Sequence, residues 1–594
     1  MATNQTQLKT NAYIPEDWYG GYKLEIDLTA ETQLNDWKLD FNLPYNITET
    51  YGVKLTDNGN GSYSFQGEEY NSSLDAGETI KAIFIVEDNG KQALLPQFQL
   101  NSTETTTGTS NDSNNNNNNN NNEMANDNGI DNPQPGTGQF RYGEALQKSF
   151  LLFEANRSGD LGKDNRISWR GDSAINDGAD VGRDLTGGYY DAGDHVKFGL
   201  PMSANNTMLA WGGIEYEQAY KQAGQYDELL DAVKWGTDYF LKAHVTEGGK
   251  TQEFYVQVGD GNADHAYWGP PEEMTMERPA FKIDANNPGS DVAAGTASAL
   301  ASASVLFRDT NSAYADKLLN NAKQLFEFAD TYKGKYSDSV SAANPFYTSF
   351  NGYWDELTEA SAWLYKATGE QKYLDKAENY FNNNIGGLGD WSWAADDKSY
   401  SAGVLLAQES DDQRYQQQVE QWLNRWINGE GNIQYTEGGL AFRTRWGSLA
   451  LSSSAAFLAE LYNDTVKSDS RYSQFANQQI DYILGDNPRN ASYMVGFGDN
   501  YPLEPHHRGA SGDAPYGQPN EHILYGALVG GPGSVDDFDY NDDRNDWVTN
   551  EVATGYNAPL TSALIQQYED FGGDPLTESE LDALVGIDAN GVGF

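Results

Sequence analysis

The chain has 594 residues, with 88 acidic side chains against 38 basic ones, a net charge of −50 and no cysteine. That balance excludes nucleic acid as a partner, because phosphate attraction needs the opposite sign, and it disfavours anionic membranes and polyanionic substrates while leaving neutral polymers unpenalised. Without cysteine there are no disulfides and no thiolate chemistry, no apolar run reaches membrane-spanning length, and a chain this long predicts two or more domains. A lysine-poor, acidic surface suits a medium of high ionic strength, where salt screens self-repulsion. The opening Met1-Ala-Thr-Asn-Gln-Thr lacks the basic and apolar regions of a signal peptide, so localisation has to be argued from the substrate.

Residues 1–100 alternate apolar and polar side chains in Tyr22-Lys-Leu-Glu-Ile-Asp-Leu, Trp37-Lys-Leu-Asp-Phe-Asn-Leu and Thr79-Ile-Lys-Ala-Ile-Phe-Ile-Val, with turn clusters such as Asp57-Asn-Gly-Asn-Gly-Ser between them. Short alternating strands at regular spacing predict an all-β, immunoglobulin-like sandwich. Residues 101–138 hold Thr105-Thr-Thr-Gly-Thr, nine asparagines from Asn114 to Asn122, and Asn132-Pro-Gln-Pro-Gly-Thr. With almost nothing apolar to bury, this segment reads as a flexible linker. Residues 139–573 read mainly as helices, for example Ala360-Ser-Ala-Trp-Leu-Tyr-Lys-Ala and the run from Gly447 to Tyr462, joined by long loops rich in Gly, Asp and Trp. Such an alternation predicts a helical scaffold with functional loops at one end. Residues 574–594 carry no assignable signal.

Two carboxylates, Asp191 and Asp194, lie among glycines and aromatics in Gly187-Gly-Tyr-Tyr-Asp-Ala-Gly-Asp-His-Val-Lys-Phe-Gly-Leu-Pro201. A third, Glu551, stands far downstream in Trp547-Val-Thr-Asn-Glu-Val-Ala-Thr-Gly-Tyr-Asn557. A carboxylate base that holds water and a distant carboxylic acid are what glycosidic hydrolysis requires. Taken alone, the acidic pair also reads as a solvated loop of an acidic protein. The surrounding motifs are Tyr142-Gly-Glu-Ala-Leu-Gln-Lys-Ser, Ser168-Trp-Arg-Gly-Asp-Ser, Tyr190-Asp-Ala-Gly-Asp-His, Asn487-Pro-Arg, the stretch Ser492 to Arg508 and the Glu551 segment. From about Phe140 to about Phe571 this set resembles glycoside hydrolase family 9, cellulases built on an (α/α)6 barrel.

The resemblance implies Asp194 as general base, Asp191 as its helper in holding the water and sharing the proton, and Glu551 as general acid. Such an acid has to stay protonated near neutrality, which needs apolar walls or nearby negative charge; Trp547 and Tyr556 are close enough in sequence to supply them. In an inverting enzyme the two sides leave room for water, roughly 6.5–9.5 Å. His506 and Arg508 match the family's His-x-Arg, which hydrogen-bonds the sugar beside the cleaved bond, although a His-His-Arg run also reads as an ion-pair node or a metal site. His265 and Trp268, in Asp264-His-Ala-Tyr-Trp-Gly-Pro-Pro, resemble residues that hydrogen-bond and stack on glucose. Tyr347, Phe350, Trp393, Trp446 and Tyr556 are further stacking candidates, since apolar pyranose faces take flat rings; for each, a core aromatic is the plain reading. Two departures stand out. Ala450-Leu451 follow Trp446-Gly-Ser-Leu where the family often has Arg-Tyr, and Phe350 stands where many members have Trp, so fewer contacts are expected at distant subsites.

Asn351-Gly352-Tyr-Trp-Asp355-Glu356 resembles the family's calcium loop, with Asn351, Gly352, Asp355 and Glu356 as ligands and the Asp396-Asp397 pair as a further oxygen source. A structural Ca2+ is the implied cofactor, and oxygen-only ligation suits it. Acidic residues in a first helical turn are also favoured by the helix dipole. The front module is similar to carbohydrate-binding module family 2, on Trp18-Tyr-Gly-Gly-Tyr22, Asp36-Trp-Lys-Leu-Asp-Phe, Ile47-Thr-Glu-Thr-Tyr51 and Glu69-Tyr-Asn-Ser-Ser-Leu. That likeness implies Trp18, Tyr51 and Tyr70 as rings that stack on cellulose, and strand alternation puts Trp37 in the core.

The expected function is therefore an inverting endo-β-1,4-glucanase that acts on cellulose as a monomer, outside the cell because cellulose cannot enter it. A processive or mixed-linkage β-glucanase and a non-catalytic glucan-binding protein are the alternatives.

Overall fold

The structure, a computed structural model, describes residues 8–98 apart from 19–20, 31, 36, 60, 68–72, 75–78 and 88–95, and residues 140–591 apart from 164. It divides into two compact units, Met1–Asp127 and Asn128–Phe594, each with an apolar core of its own. Among the described residues no helix is long and apolar enough to cross a membrane.

The first unit is β-rich. Its strands are β1 (Leu8–Trp18), β2 (Gly21–Ala30), β3 (Leu34–Asn35), β4 (Lys38–Asn42), β5 (Asn46–Tyr51), β6 (Val53–Gly59), β7 (Ser62–Gly67), β8 (Ser73–Leu74), β9 (Thr79–Glu87) and β10 (Gln97–Phe98). They form two antiparallel four-stranded sheets, ordered β1-β2-β9-β5 and β10-β4-β7-β6, with β3 and β8 as a small extra pair. Period-two alternation turns one face of each sheet inward: Tyr22, Leu24, Ile26 and Leu28 of β2 are buried, as are Leu39 and Phe41 of β4. Phe41 and Phe65 of one sheet meet Phe84 of the other with ring centroids 5.8 and 5.4 Å apart, so both sheets share one core. Trp37 lies in it, 1% exposed.

The second unit is helical. Among the described residues its helices of ten residues or more are α1 (Tyr142–Ala155), α2 (Gly199–Glu215), α3 (Tyr226–Ala243), α4 (Ser290–Leu306), α5 (Ser312–Thr331), α6 (Trp354–Thr368), α7 (Gln371–Tyr380), α8 (Ser399–Glu409), α9 (Gln413–Asn428), α10 (Ser448–Thr465), α11 (Ser470–Leu484) and α12 (Thr554–Phe571). The even-numbered helices pack each on the next, and α12 returns to α2. Each odd-numbered helix backs one of them: α1 lies on α12, α3 on α2, α5 on α4, α7 on α6, α9 on α8 and α11 on α10. The sequences differ accordingly. Inner α4, SDVAAGTASALASASVL, is built mostly of small Ala and Ser residues and is buried at every residue but Val305, whereas outer α9 buries Tyr415, Val419, Trp422, Leu423 and Trp426, a single stripe at helical spacing.

Two features go beyond a purely helical reading. An antiparallel sheet of β11 (Lys197–Phe198), β12 (His244–Glu247), β13 (Lys250–Val258) and β14 (Ala280–Asp284) sits among the loops, with β13 central. Residues 574–591 strap the unit shut. Leu581 and Ile587 join the main core, Ser168 N–H donates to Gly586 O and Asp588 N–H to Arg166 O, both at 2.9 Å, and a capping box of Thr577 and Glu580 starts a short helix, Glu578–Leu581.

Candidate active site

The Asp191–Val196 turn leads into β11 and is built around its own carboxylate. Asp191 N–H donates to Val196 O at 3.1 Å, while Asp194 accepts from Ala192 N–H at 3.1 Å and from Val196 N–H at 3.2 Å. These bonds aim the Asp194 carboxylate. Gly193 makes the turn's contact with the His506 segment possible, because a Cβ there would lie 2.3 Å from His506 O; its own carbonyl accepts from Arg508 N–H at 3.0 Å. The Glu551 segment is tied to both. Thr554, the first residue of α12, donates its N–H and its hydroxyl to Asp191 O, each at 2.9 Å, and His506 N–H donates to Asn550 O at 2.9 Å. Backbone hydrogen bonds thus bring together three carboxylates that are distant in sequence.

Their environments differ. Asp191 is buried, and burial together with the charge of Asp194 raises its pKa well above the usual carboxylate range, against the lowering effect of the Tyr347 hydroxyl that donates to it. The raised pKa favours the neutral form of Asp191. Glu551 is half-buried, and its pKa is pushed up to about 7, first by burial and then by Asp194, against hydrogen bonds from Trp446 and Tyr556 that lower it. Trp446 Nε1–H and the Tyr556 hydroxyl both reach Oε2 of Glu551, at 2.7 and 3.1 Å, which directs the carboxyl proton to Oε1. Gly447, at φ +64°, lets the Trp446 loop close on Tyr556; a Cβ would lie 3.0 Å from the Tyr556 hydroxyl. The wall expected from Trp547 is different: that ring is 54% exposed, and Trp446 is the tryptophan bonded to the acid.

The sugar-contact candidates fall in two groups. Trp268, His506 and Arg508 converge: the Trp268 and His506 rings meet edge-on with centroids 5.1 Å apart, and the Arg508 guanidinium lies 5.2 Å from the Trp268 ring. Arg508 is buried and donates from Nε to Tyr267 O at 3.1 Å. His506 donates from Nδ1 to Arg544 O, and burial lowers its pKa, so the neutral ring keeps Nε2 as an acceptor. His507 serves the fold, accepting Ala510 N–H on Nδ1 at 2.9 Å and lying 3.1 Å from Asn156 through Nε2. His265, exposed, lies against Phe346 and bonds Gly261 O through Nδ1 at 2.7 Å. Trp446 and Phe350, 50% and 79% exposed, present their rings to solvent. Tyr347 stacks obliquely on Phe198 and commits its hydroxyl to Asp191, and Trp393 is a core residue, 4% exposed.

Asp355 and Glu356 lie in the first turn of α6, both buried. Asp396 accepts Phe350 N–H at 3.1 Å, and Asn351 Nδ2 reaches Asp396 O at 3.4 Å. Burial, then the charge of Asp355, pushes both Asp396 and Asp397 up to about 7. One partner escaped sequence reasoning: Lys398, fully buried, places Nζ 3.1 Å from Glu356 Oε1 and donates its backbone N–H to Asp355 Oδ2 at 2.7 Å. Glu356 Oε2 is buried without a hydrogen-bond partner. Crowded carboxylates with an orphaned oxygen fit a hard, oxygen-seeking cation. In the first unit Trp18 and Tyr51 end β1 and β5, with side chains outside the described residues, and Tyr70 lies outside them altogether.

Comparison with known proteins matches residues 142–564 to the family model of glycosyl hydrolase family 9 and residues 9–105 to that of a cellulose binding domain. The chain is 50% identical over 453 residues to Endoglucanase B of Cellulomonas fimi, a match covering 74% of this chain but 43% of that protein. It is 49% identical over 463 residues to Endoglucanase A of Bacillus pumilus, covering 75% and 68%. Among solved structures, the endoglucanase of the termite Nasutitermes takasagoensis is 48% identical with a TM-score of 0.68, covering 72% of this chain and 98% of that one.

Proposed function

Given that the chain belongs to glycosyl hydrolase family 9, we propose that it is an inverting endo-β-1,4-glucanase acting on cellulose outside the cell. The ring of six helices inside six others is read as the (α/α)6 barrel, and the two-sheet unit as an immunoglobulin-like module that holds the enzyme on its substrate. The observation that carries the reading is the convergence of three distant carboxylates: hydrogen bonds from Thr554 to Asp191 O and from His506 N–H to Asn550 O tie the Glu551 segment to the Asp191–Asp194 turn, and burial raises both Glu551 and Asp191.

The chemistry follows. Asp194 takes a proton from a water held between it and Asp191 as the water oxygen bonds to the anomeric carbon. The glycosidic C–O bond breaks, and the departing oxygen takes the Glu551 proton. His506, through its free acceptor, and Arg508 orient the sugar; Trp268, Trp446 and Tyr556 offer flat faces to the apolar sides of the pyranose. Asp355, Glu356, Asn351, Gly352 and the Asp396-Asp397 pair are the residues that would hold Ca2+, whose positive charge would tie the Phe350 loop to α6 and take no part in the reaction.

The test is viscosity loss and reducing-end release on carboxymethyl cellulose, wild type against Glu551→Gln. Rapid viscosity loss that falls by about 100- to 10,000-fold in the variant is expected, with the α-anomer as first product by NMR. A β-anomer would remove inversion. Release mainly of soluble ends with little viscosity loss would point to the processive alternative, and an inert wild type to a glucan-binding protein.

A further inference from the structure

His195, the residue after the proposed base, is pinned from three sides. Asp264 accepts its N–H with both carboxylate oxygens, each at 3.2 Å. Arg278 Nη1 donates to its carbonyl at 2.7 Å, and its ring Nε2 lies 2.9 Å from Gly269 O. The Arg278 clamp is itself anchored, because Asp177 holds Arg278 at 2.8 Å and Lys197 at 2.7 Å. Asp264 differs from the other clamps in what else it approaches. Side-chain ligand atoms of Asp194, Asp264 and His265 all lie within 4.8 Å of one another, and Asp264 is 1% exposed. Its place is set by a short helix, Gly261–His265, capped by Asp260 just past the end of β13.

We propose that Asp264 is a positioning residue for the general base: by gripping the His195 peptide N–H it fixes the chain next to Asp194 and so the direction of that carboxylate. The inference rests on the glucanase reading above. Its charge suits the role. The groups that face Asp264 are Asp194, Arg508 and Arg278, with His265 at its side, and burial with the charge of Asp194 pushes it up to about 7. Below neutrality Asp264 therefore carries a proton, accepts the N–H through its carbonyl oxygen and adds no charge beside the base. Asparagine copies that neutral form; alanine removes the grip.

Steady-state kinetics on carboxymethyl cellulose below neutrality decide the matter, with folding checked by circular dichroism and melting temperature. Asp264→Ala is expected to lower kcat by about 100-fold, the size of effect a small misplacement of a reacting group produces, with KM little changed, and Asp264→Asn to recover most of the loss. A role in stability alone would lower the melting temperature without this kcat-selective fall and recovery. Wild-type kcat in Asp264→Ala, or an asparagine variant no better than alanine, overturns the proposal. If the alanine variant does not fold, Asp264→Glu, which keeps the carboxyl group on a longer arm, replaces it: a selective fall in kcat supports the proposal and unchanged kcat overturns it. An inert wild type defeats the glucanase reading and this inference together; an active wild type with indifferent variants defeats this inference alone.

Discussion

Trp446 reaches the acid from a half-exposed position and works against the forces that make Glu551 an acid. Its Nε1–H, like the Tyr556 hydroxyl, favours the ionised carboxylate, while burial and Asp194 favour the neutral form. Because Glu551 must be protonated to deliver its proton, activity is expected to decline as pH rises through about 7. Trp446→Phe keeps a flat ring but loses the donor, so the descending limb of the kcat/KM profile should move to higher pH, whatever happens to the magnitude of KM. A limb that stays put or moves down would show that the indole N–H does not tune the acid. Sequence reasoning reached Trp446 as a stacking ring and missed this bond, because a side chain 105 positions from Glu551 gives no sign in the sequence of which of its atoms points at a carboxylate. Asp264 escaped for a related reason: it sits directly before His265 in a recognisable motif, but its partner is a peptide N–H at His195, which has no residue-type signature.

At the scale of elements, what was legible had periodicity. The β2 alternation announces both structure and buried face, since it repeats its apolar residue at the period of its backbone. The sheet around β13 did not, because its second half, Phe254 to Val258, is buried on both faces and loses the alternation. The closing strap did not either: Leu581 and Ile587 are isolated apolar residues, and the backbone hydrogen bonds that hold the strap join Gly586 and Asp588 to Ser168 and Arg166. The start of α6 was legible as an acidic cluster but not as one shared with Lys398. With Lys398 on Glu356 Oε1 and nothing on Oε2, the neighbourhood stays short of positive charge. Chelation with EDTA should therefore lower the melting temperature, and Ca2+ but not Mg2+ should restore it, since Mg2+ demands a more rigid octahedron. Occupancy at a hundredfold excess over Kd would add about 2.7 kcal/mol. A melting temperature indifferent to EDTA and Ca2+ would remove calcium from the loop.

Over the whole molecule, acidity acts in two places that pH and salt separate. A net charge of −50 spreads repulsion over the surface, where counter-ions screen it within about 10 Å at moderate salt. Buried acids add a contribution that salt reaches poorly. Glu460, 2% exposed, is pushed from 4.5 up to about 8, mainly by burial and then by Asp464 and Asp570, although Ser473 and Asn463 hydrogen-bond it; Asp264 is raised to about 7. Both pKa values are higher in the folded chain than in the unfolded one. Between the ordinary carboxylate range and these raised values the folded state binds more protons than the unfolded, so stability falls as pH rises. For Glu460 the window runs from about 4.5 to about 8, with a slope of roughly 1.4 kcal/mol per pH unit, and above it the loss is complete. Urea unfolding across that window should show stability decreasing with pH at low and at high salt alike, with salt raising the whole curve by screening the surface. Glu460→Gln, neutral at every pH, should flatten the slope without abolishing it, since Asp264 still titrates. A slope that high salt erases would assign the pH dependence to the surface, and one that Glu460→Gln leaves untouched would show that this carboxyl ionises freely in the fold.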